Sequence, residues 1–147
     1  MTLKERIKQE EGLRMKPYLC PAGKLTVGYG HNLNASPMLP YAAEYLKAHG
    51  FIMHHMAEDQ LDHDIDVAEA VARRLFVGFD ELSENRRDVL IDMAFNLGEG
   101  SLSRFAKLRH NVAIKQYEKA ADEMKDSRWF TQVTNRAKQL IQQWMEG

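Results

Sequence analysis

Three side chains with different reactive groups lie close together near the start of the chain. Glu11 supplies a carboxyl group, Cys20 a thiol and Thr26 a hydroxyl, and Cys20 is the only cysteine among the 147 residues. Prolines and glycines punctuate the stretch that joins them, as is typical of tight turns between short strands. A proton donor, a group that can act as a base and a hydroxyl on one short segment indicate a hydrolytic site.

A first helix is expected to position the carboxyl group. Thr2 and Glu5 have the spacing of a capping box, which predicts the helix start. Ile7 and Glu11 are four residues apart, so Glu11 continues the apolar face, and Gly12 predicts the helix end. The negative end of the helix dipole, the neighbouring acid and partial removal from water would all favour a protonated carboxyl. That is the form that general-acid catalysis requires.

The remaining pattern predicts an α+β fold that is mostly α. Residues 13–33 alternate apolar and polar positions between turn residues, which predicts a small antiparallel sheet. Helices are expected over about 36–50 and about 56–76. Ser83 is expected to cap the next helix, which should end at Gly98, with shorter helices after it. The architecture expected is a small β lobe, a long connecting helix and a larger helical lobe, with a substrate cleft between the lobes.

Composition narrows the function further. The formal net charge is −1, so nothing in the bulk charge indicates a nucleic-acid partner. A single cysteine cannot form an internal disulfide, and no targeting segment or membrane anchor is expected from the sequence. His54, His55 and His63 do not have the spacing of a metal-ligand pair, so neither a metal nor a cofactor is expected.

The segment from Glu11 to His31, E-G-L-R-M-K-P-Y-L-C-P-A-G-K-L-T-V-G-Y-G-H, resembles the active-site signature of the phage-type lysozymes. These endolysins cut bacterial peptidoglycan, and their signature has a Glu, then an Asp or Cys, a Thr and G-x-G-H. Two distant segments, Ser127–Arg136 and Leu90–Gly98, are similar to the family's S-R-W segment and to its core helix. The resemblance covers nearly the whole chain.

This resemblance implies one lysozyme-like catalytic domain over residues 1–147. The lobes would be residues 12–56 for the β-containing part, 57–76 for the connecting helix, and 77–147 together with 1–11 for the helical part. It also implies a muramidase that hydrolyses the β-1,4 bond between N-acetylmuramic acid and N-acetylglucosamine.

The resemblance also implies roles for individual residues. Glu11 would protonate the departing glycosidic oxygen, Thr26 would help hold the attacking water, and Arg136 would hold Glu11 by a charge-assisted hydrogen bond. The family most often has Asp at the position of Cys20. The thiol could activate water, attack the anomeric carbon with retention, or only face the substrate while Thr26 positions water. Activation or placement of water is the favoured hypothesis.

Several site residues also have ordinary structural interpretations. A lone cysteine can be a small core residue, and Thr26 can simply fill a strand. His31 and Asp64 match a structural pair between the sheet and the connecting helix, while Asn32 and Phe95 match glycan contacts. Asn32 departs from the commoner Leu.

Three further residues have expectations of their own. Gly28 and Gly30 are expected to relieve crowding beneath the substrate. Trp129 could stack on a sugar ring or belong to the core.

The expected partner is bacterial peptidoglycan, which the protein would reach from the host cytoplasm through a holin, acting as a monomer. Two alternatives stay open. A lytic transglycosylase would need one acid–base carboxyl group and would form an anhydro sugar. A catalytically inactive lysozyme-like module would bind the wall or serve a structural role.

Overall fold

The computed structural model describes residues 1–147 and is mostly helical, with one three-stranded antiparallel sheet in the order β1-β2-β3. The expected α+β class is therefore confirmed. The strands are β1 Arg14–Leu19, β2 Leu25–Gly28 and β3 His31–Asn32. The helices are α1 Leu3–Glu11, α2 Pro40–His49, α3 His54–Leu75, α4 Glu84–Ser103, α5 Ala106–Ala113, α6 Tyr117–Lys125, α7 Arg128–Gln132 and α8 Thr134–Glu146.

Helix α1 begins and ends where the sequence predicts. The Thr2 N–H donates to the Glu5 carboxylate at 2.8 Å, and the Glu5 N–H donates to the Thr2 hydroxyl at 3.1 Å, which completes the capping box. The Gly12 N–H closes the helix by donating to the Lys8 carbonyl at 2.9 Å. Ile7 is fully buried, so its side chain fixes which face of α1 packs inward and Glu11 follows one turn later on that face.

Charged side chains join α1 to α3. Lys8 forms an ion pair with Glu58. The Lys4 Nζ lies 3.0 Å from the Glu58 Oε2 and 2.7 Å from the Asp62 Oδ1. Hydrogen bonds from Lys8 and then Lys4 lower the pKa of Glu58 to about 2, because each stabilises the ionised carboxylate. The pairs are partly exposed, so their contribution to stability is modest, but they define where α1 lies on α3.

The sheet is a hairpin extended by a very short third strand. Tyr18 pairs with Thr26 across β1 and β2, and Thr26 pairs with Asn32 across β2 and β3. The small sheet expected over 13–33 is thus confirmed. With only two residues in β3, the ladder hydrogen bonds of that strand are few, so side chains must hold its position.

A buried network supplies that hold. The His31 Nδ1 lies 2.7 Å from the Asp64 carboxylate and the Nε2 lies 3.0 Å from the Ser36 carbonyl. Both ring nitrogens therefore face acceptors, which favours the doubly protonated imidazolium. Gln60 extends the network, since its amide donates to Asp64 at 2.9 Å and its carbonyl accepts from the Leu39 N–H at 2.8 Å. β3, the following loop and α3 are joined through these bonds.

Helix α2 starts later than the sequence suggested. The helix was expected from Ser36-Pro37, but it begins at Pro40. The carbonyl of Ser36 is occupied by His31, and proline at Pro40 suits the first helical position because no N–H is needed there. Tertiary hydrogen bonding therefore keeps residues 36–39 out of the helix.

The chain forms two compact units, residues 1–66 and 67–147, and the boundary falls within α3. The lobe bounds expected from the sequence stay a prediction. In the second unit, the Ser83 hydroxyl caps α4 by accepting from the Arg86 N–H, as predicted. The backbone leaves helical geometry at Gly98 (φ 79°, ψ 165°), where the sequence places the end of the helix, and a further helical segment continues to Ser103. No helix combines the length and apolar character needed to cross a bilayer.

The core of the second unit comes from α4 and the C-terminal helices. Trp144 is fully buried and its indole N–H donates to the Tyr117 carbonyl at 2.8 Å. The fully buried apolar residues of α4 are Val89, Leu90, Met93 and Leu102.

The His31–Asp64 pair should make stability depend on pH in a defined direction. Burial is the largest single influence and would lower the pKa of His31, but the Asp64 carboxylate and the Ser36 carbonyl together outweigh it and the pKa is raised above 6.5. The folded state therefore holds a proton that the unfolded state releases first. The stabilisation is fully present below the unfolded pKa and is lost as the pH rises through the higher folded pKa.

Replacing His31 by Asn should lower the free energy of unfolding by about 1.5–3 kcal/mol below the unfolded pKa, because a charged hydrogen bond is lost. The difference between wild type and variant should shrink as the pH rises above about 6.5, the ordinary histidine value, as measured by chemical denaturation. His63→Asn, which changes an exposed histidine of α3, is the matched control and should show no such trend. A His31→Asn deficit that grows with pH would contradict this account.

Candidate active site

Glu11 is the last residue of α1, and its side chain lies across the backbone of Gly30. A Cβ atom placed on Gly30 would lie 2.8 Å from the Glu11 Cδ, 2.9 Å from Cγ and 3.0 Å from Oε1. These distances are shorter than van der Waals contact, so Glu11 occupies the space that a side chain at position 30 would need. The turn between β2 and β3 is thus the surface on which the half-buried carboxyl group lies.

Cys20 opens the turn that joins β1 to β2. Its N–H donates to the Lys24 carbonyl at 3.0 Å, and its carbonyl accepts from the Gly23 N–H at 2.8 Å. The residue is partly exposed, so the interpretation of Cys20 as a core side chain does not fit its position.

The surroundings of the Cys20 thiol favour its ionised form. A hydrogen bond from the Lys24 backbone makes the largest contribution to lowering the pKa of Cys20 below its ordinary value of 9.0. The backbone of Ala22, the Thr26 hydroxyl and the charge of Lys24 act in the same direction, and burial opposes them only in part. Several donors converge on the sulfur because a tight turn directs its N–H groups toward the residue that opens it. The thiolate is a better base and nucleophile than the thiol.

Thr26 lies on β2 and is 5% exposed, so its side chain is almost entirely buried. The hydroxyl donates to the Lys24 carbonyl at 2.9 Å and also contacts the Cys20 sulfur. The structure therefore brings Cys20 and Thr26 together. The hydroxyl has one hydrogen, which is given either to the Lys24 carbonyl or to the thiolate, and its lone pairs can accept a hydrogen bond from a water.

Arg136 is buried on α8, where its Nε donates to the Asp92 carboxylate at 2.8 Å. The expected bond between Arg136 and Glu11 stays a prediction. The sequence reasoning missed Asp92, which is fully buried on α4 and orients the guanidinium. The available signal was an acid between Ile91 and Met93 in an otherwise apolar run, because a buried carboxylate needs a charged or hydrogen-bonding partner.

The expected glycan contacts differ in how their side chains are used. The Asn32 Oδ1 accepts from the N–H groups of Asn34 and Ala35 at 2.9 and 3.1 Å, so it shapes the turn after β3. A glycan contact by Asn32 would therefore come from its Nδ2 donor. Phe95 is partly exposed on α4.

The structure decides between the two interpretations of Trp129 and corrects the expectation for Gly28. Trp129 is 2% exposed and its indole N–H donates to Asn96 at 2.9 Å, so it belongs to the core and cannot stack on a sugar. Gly28 packs against α3 and the segment before it, since a Cβ there would lie 3.5 Å from Ile52 and 3.6 Å from Ala57. Gly28 is buried by protein, whereas Gly30 meets the candidate catalytic acid.

Known proteins resemble this chain along most of its length. The probable T4-type lysozyme 2 of Dictyostelium discoideum is 25% identical over 99% of this chain and 95% of its own length. The endolysin of Salmonella phage P22 is 30% identical over 80% of this chain and 74% of its own length. The pre-baseplate central spike protein of Enterobacteria phage T4 is 26% identical over 95% of this chain, which corresponds to 27% of the spike protein.

The family model described as phage lysozyme matches residues 8–143. The match includes Glu11, Cys20, Thr26 and Arg136. With a mostly helical fold, a small antiparallel sheet and this coverage, the chain belongs to the phage lysozyme family.

Proposed function

We propose that this protein is a glycosidase of the muramidase type, which hydrolyses the β-1,4 bond between N-acetylmuramic acid and N-acetylglucosamine in peptidoglycan. The observation that carries the proposal is the Cys20–Thr26 pair, in which backbone N–H groups and a hydroxyl favour a thiolate. Membership of the phage lysozyme family and relatives named lysozyme and endolysin support it.

Glu11 acts as the general acid. It transfers its proton to the glycosidic oxygen as the bond between that oxygen and the anomeric carbon breaks. The contact between Glu11 and the Gly30 backbone limits the rotation of the carboxyl group, which keeps the proton donor in one place.

Cys20 acts on the other reactant, water. The thiolate accepts a proton from water while the water oxygen bonds to the anomeric carbon, and Thr26 holds the water by accepting a hydrogen bond from it. At the end of the step the sulfur carries a proton and Glu11 is ionised, and exchange with solvent restores both groups. This route inverts the configuration of the anomeric carbon.

Residues outside this pair have supporting roles in the proposal. Arg136, held by Asp92, would stabilise the ionised Glu11 after proton transfer. The Nδ2 of Asn32 and the ring of Phe95 would contact the glycan.

The wider biological setting is also proposed. The protein would be made in the cytoplasm of a host bacterium and would reach peptidoglycan as a monomer through a holin, which leads to lysis. The two competing functions are a lytic transglycosylase and a catalytically inactive wall-binding module, and the experiments below separate them from the muramidase.

Removing the proton donor should abolish most activity. We expect Glu11→Gln to lower the rate of peptidoglycan hydrolysis by about 10²–10⁴-fold, the range that general-acid catalysis contributes. Release of dye from labelled peptidoglycan measures the rate. Glu10→Gln changes the neighbouring exposed carboxyl group and is the matched control, which should keep nearly full activity. Equal measurable rates from wild type and Glu11→Gln would exclude Glu11 as the general acid. No hydrolysis by either protein would contradict the proposal and favour the wall-binding module.

The substituent at position 20 should decide the outcome of the reaction. We expect Cys20→Asp to keep activity, because a carboxylate can accept the proton of water, and Cys20→Ala to lose most of it. NMR of the first product should show the α-anomer for inversion. A β-anomer together with a glycosyl adduct on Cys20 would establish covalent catalysis, and an anhydro sugar would establish a transglycosylase. A wild-type rate from Cys20→Ala would exclude Cys20 from the chemistry.

The acid limb of the pH–rate profile should report the ionisation of the Cys20 thiol. The pKa of Cys20 lies below 9.0, so kcat/KM of the wild type should rise with pH as the thiolate forms. In Cys20→Asp this limb should move to lower pH, because an ordinary Asp titrates near about 3.9. A limb that stays at the same pH in both proteins would assign it to another group.

A further inference from the structure

Gly30 stands apart from the other glycines of the chain. A Cβ at Gly30 would lie below 3.0 Å from two Glu11 atoms, whereas no other glycine gives a distance under 3.5 Å. The backbone of Gly30 also has φ +72°, in the left-handed region that side chains disfavour. Two independent constraints, backbone conformation and space, therefore disfavour a side chain at this position.

We propose that Gly30 is a positioning residue. Because Gly30 has no side chain, the Glu11 carboxyl group lies against its backbone and is held there for proton transfer. The inference rests on the proposed function, since it names what places the general acid. Three consecutive Glu11 atoms, Cγ, Cδ and Oε1, face the Gly30 backbone, so the contact constrains the terminal torsion of Glu11 as well as its distance.

The Gly30 backbone and the Glu11 side chain differ in how easily they can move. Gly30 precedes His31, whose ring is 3% exposed and is hydrogen-bonded to Asp64 and Ser36. These bonds hold the β2–β3 turn, so it does not move away from Glu11. The Glu11 side chain has several rotatable bonds and belongs to the last residue of α1. A methyl group at position 30 will therefore be accommodated by displacing the carboxyl group, while the fold is kept. Gly30→Ala should separate loss of catalysis from loss of structure.

The experiment compares Gly30→Ala with Gly50→Ala. Gly50 has φ +78° and a Cβ there would meet nothing within 4 Å, so this control carries the same type of backbone strain without the contact. Gly50→Ala should lose a few degrees of Tm from backbone strain, and Gly30→Ala should lose more, because its methyl group also displaces Glu11. Gly30→Ala alone should lose about 100-fold in kcat, the scale of a misplacement of about 1 Å, with KM for peptidoglycan little changed.

A readout independent of activity tests the contact itself. The ¹³Cδ resonance of Glu11 should shift in Gly30→Ala and stay at the wild-type position in Gly50→Ala. An unshifted resonance in Gly30→Ala would overturn the proposal. If the wild type hydrolyses no peptidoglycan, the proposed function fails, and the resonance still decides whether Gly30 seats Glu11.

Thermal unfolding in a second background covers the case in which Gly30→Ala folds poorly. With Glu11→Ala the facing atoms are gone, so adding Gly30→Ala should lower Tm no more than Gly50→Ala does in that background. A loss of Tm that is larger with Glu11 present than in the Glu11→Ala background supports the proposal. Equal losses in both backgrounds would assign the effect to backbone strain and overturn it.

Discussion

The bond between His31 and Asp64 is the constraint on which the candidate site depends. A two-residue β3 strand has too few ladder hydrogen bonds to fix the β2–β3 turn by itself. The buried imidazolium ties this turn to α3 and, through Ser36, to the loop that follows. Glu11 lies on that same turn, at Gly30. The position of the acid is therefore set by a charged pair that takes no part in the chemistry.

The site combines two ways of preparing a reactive group. Glu11 depends on placement, because a helix end brings it to a backbone position without a side chain. Cys20 depends on electrostatics, because the N–H groups of a tight turn and the Thr26 hydroxyl converge on its sulfur. Both rely in large part on main-chain atoms, whose positions are set by the fold.

The features that the sequence could predict are local or periodic. The capping box at Thr2, the small sheet, the Ser83 cap and the break at Gly98 all follow from short-range rules, and the structure confirms them. What could not be predicted depends on contacts between distant segments. The late start of α2 agrees with a proline at its first position, but the hydrogen bond between His31 and the Ser36 carbonyl, which holds the preceding residues, is reported by no local pattern. The same limit applied to the candidate site. Asp92 was visible in the sequence only as an acid in an apolar run, and Gly28 and Gly30 look alike in the motif although one packs on α3 and the other meets Glu11.

The ion pairs between α1 and α3 have a consequence for the conditions under which the site keeps its shape. Since the pKa of Glu58 is about 2, its carboxylate stays ionised in all but strongly acidic solution and keeps its pairs with Lys4 and Lys8. Acidification that protonates ordinary carboxyl groups therefore leaves the Glu58 pairs that hold α1 in place. The position of α1, which carries Glu11, is therefore held by pairs that do not titrate in the range where ordinary carboxyl groups do.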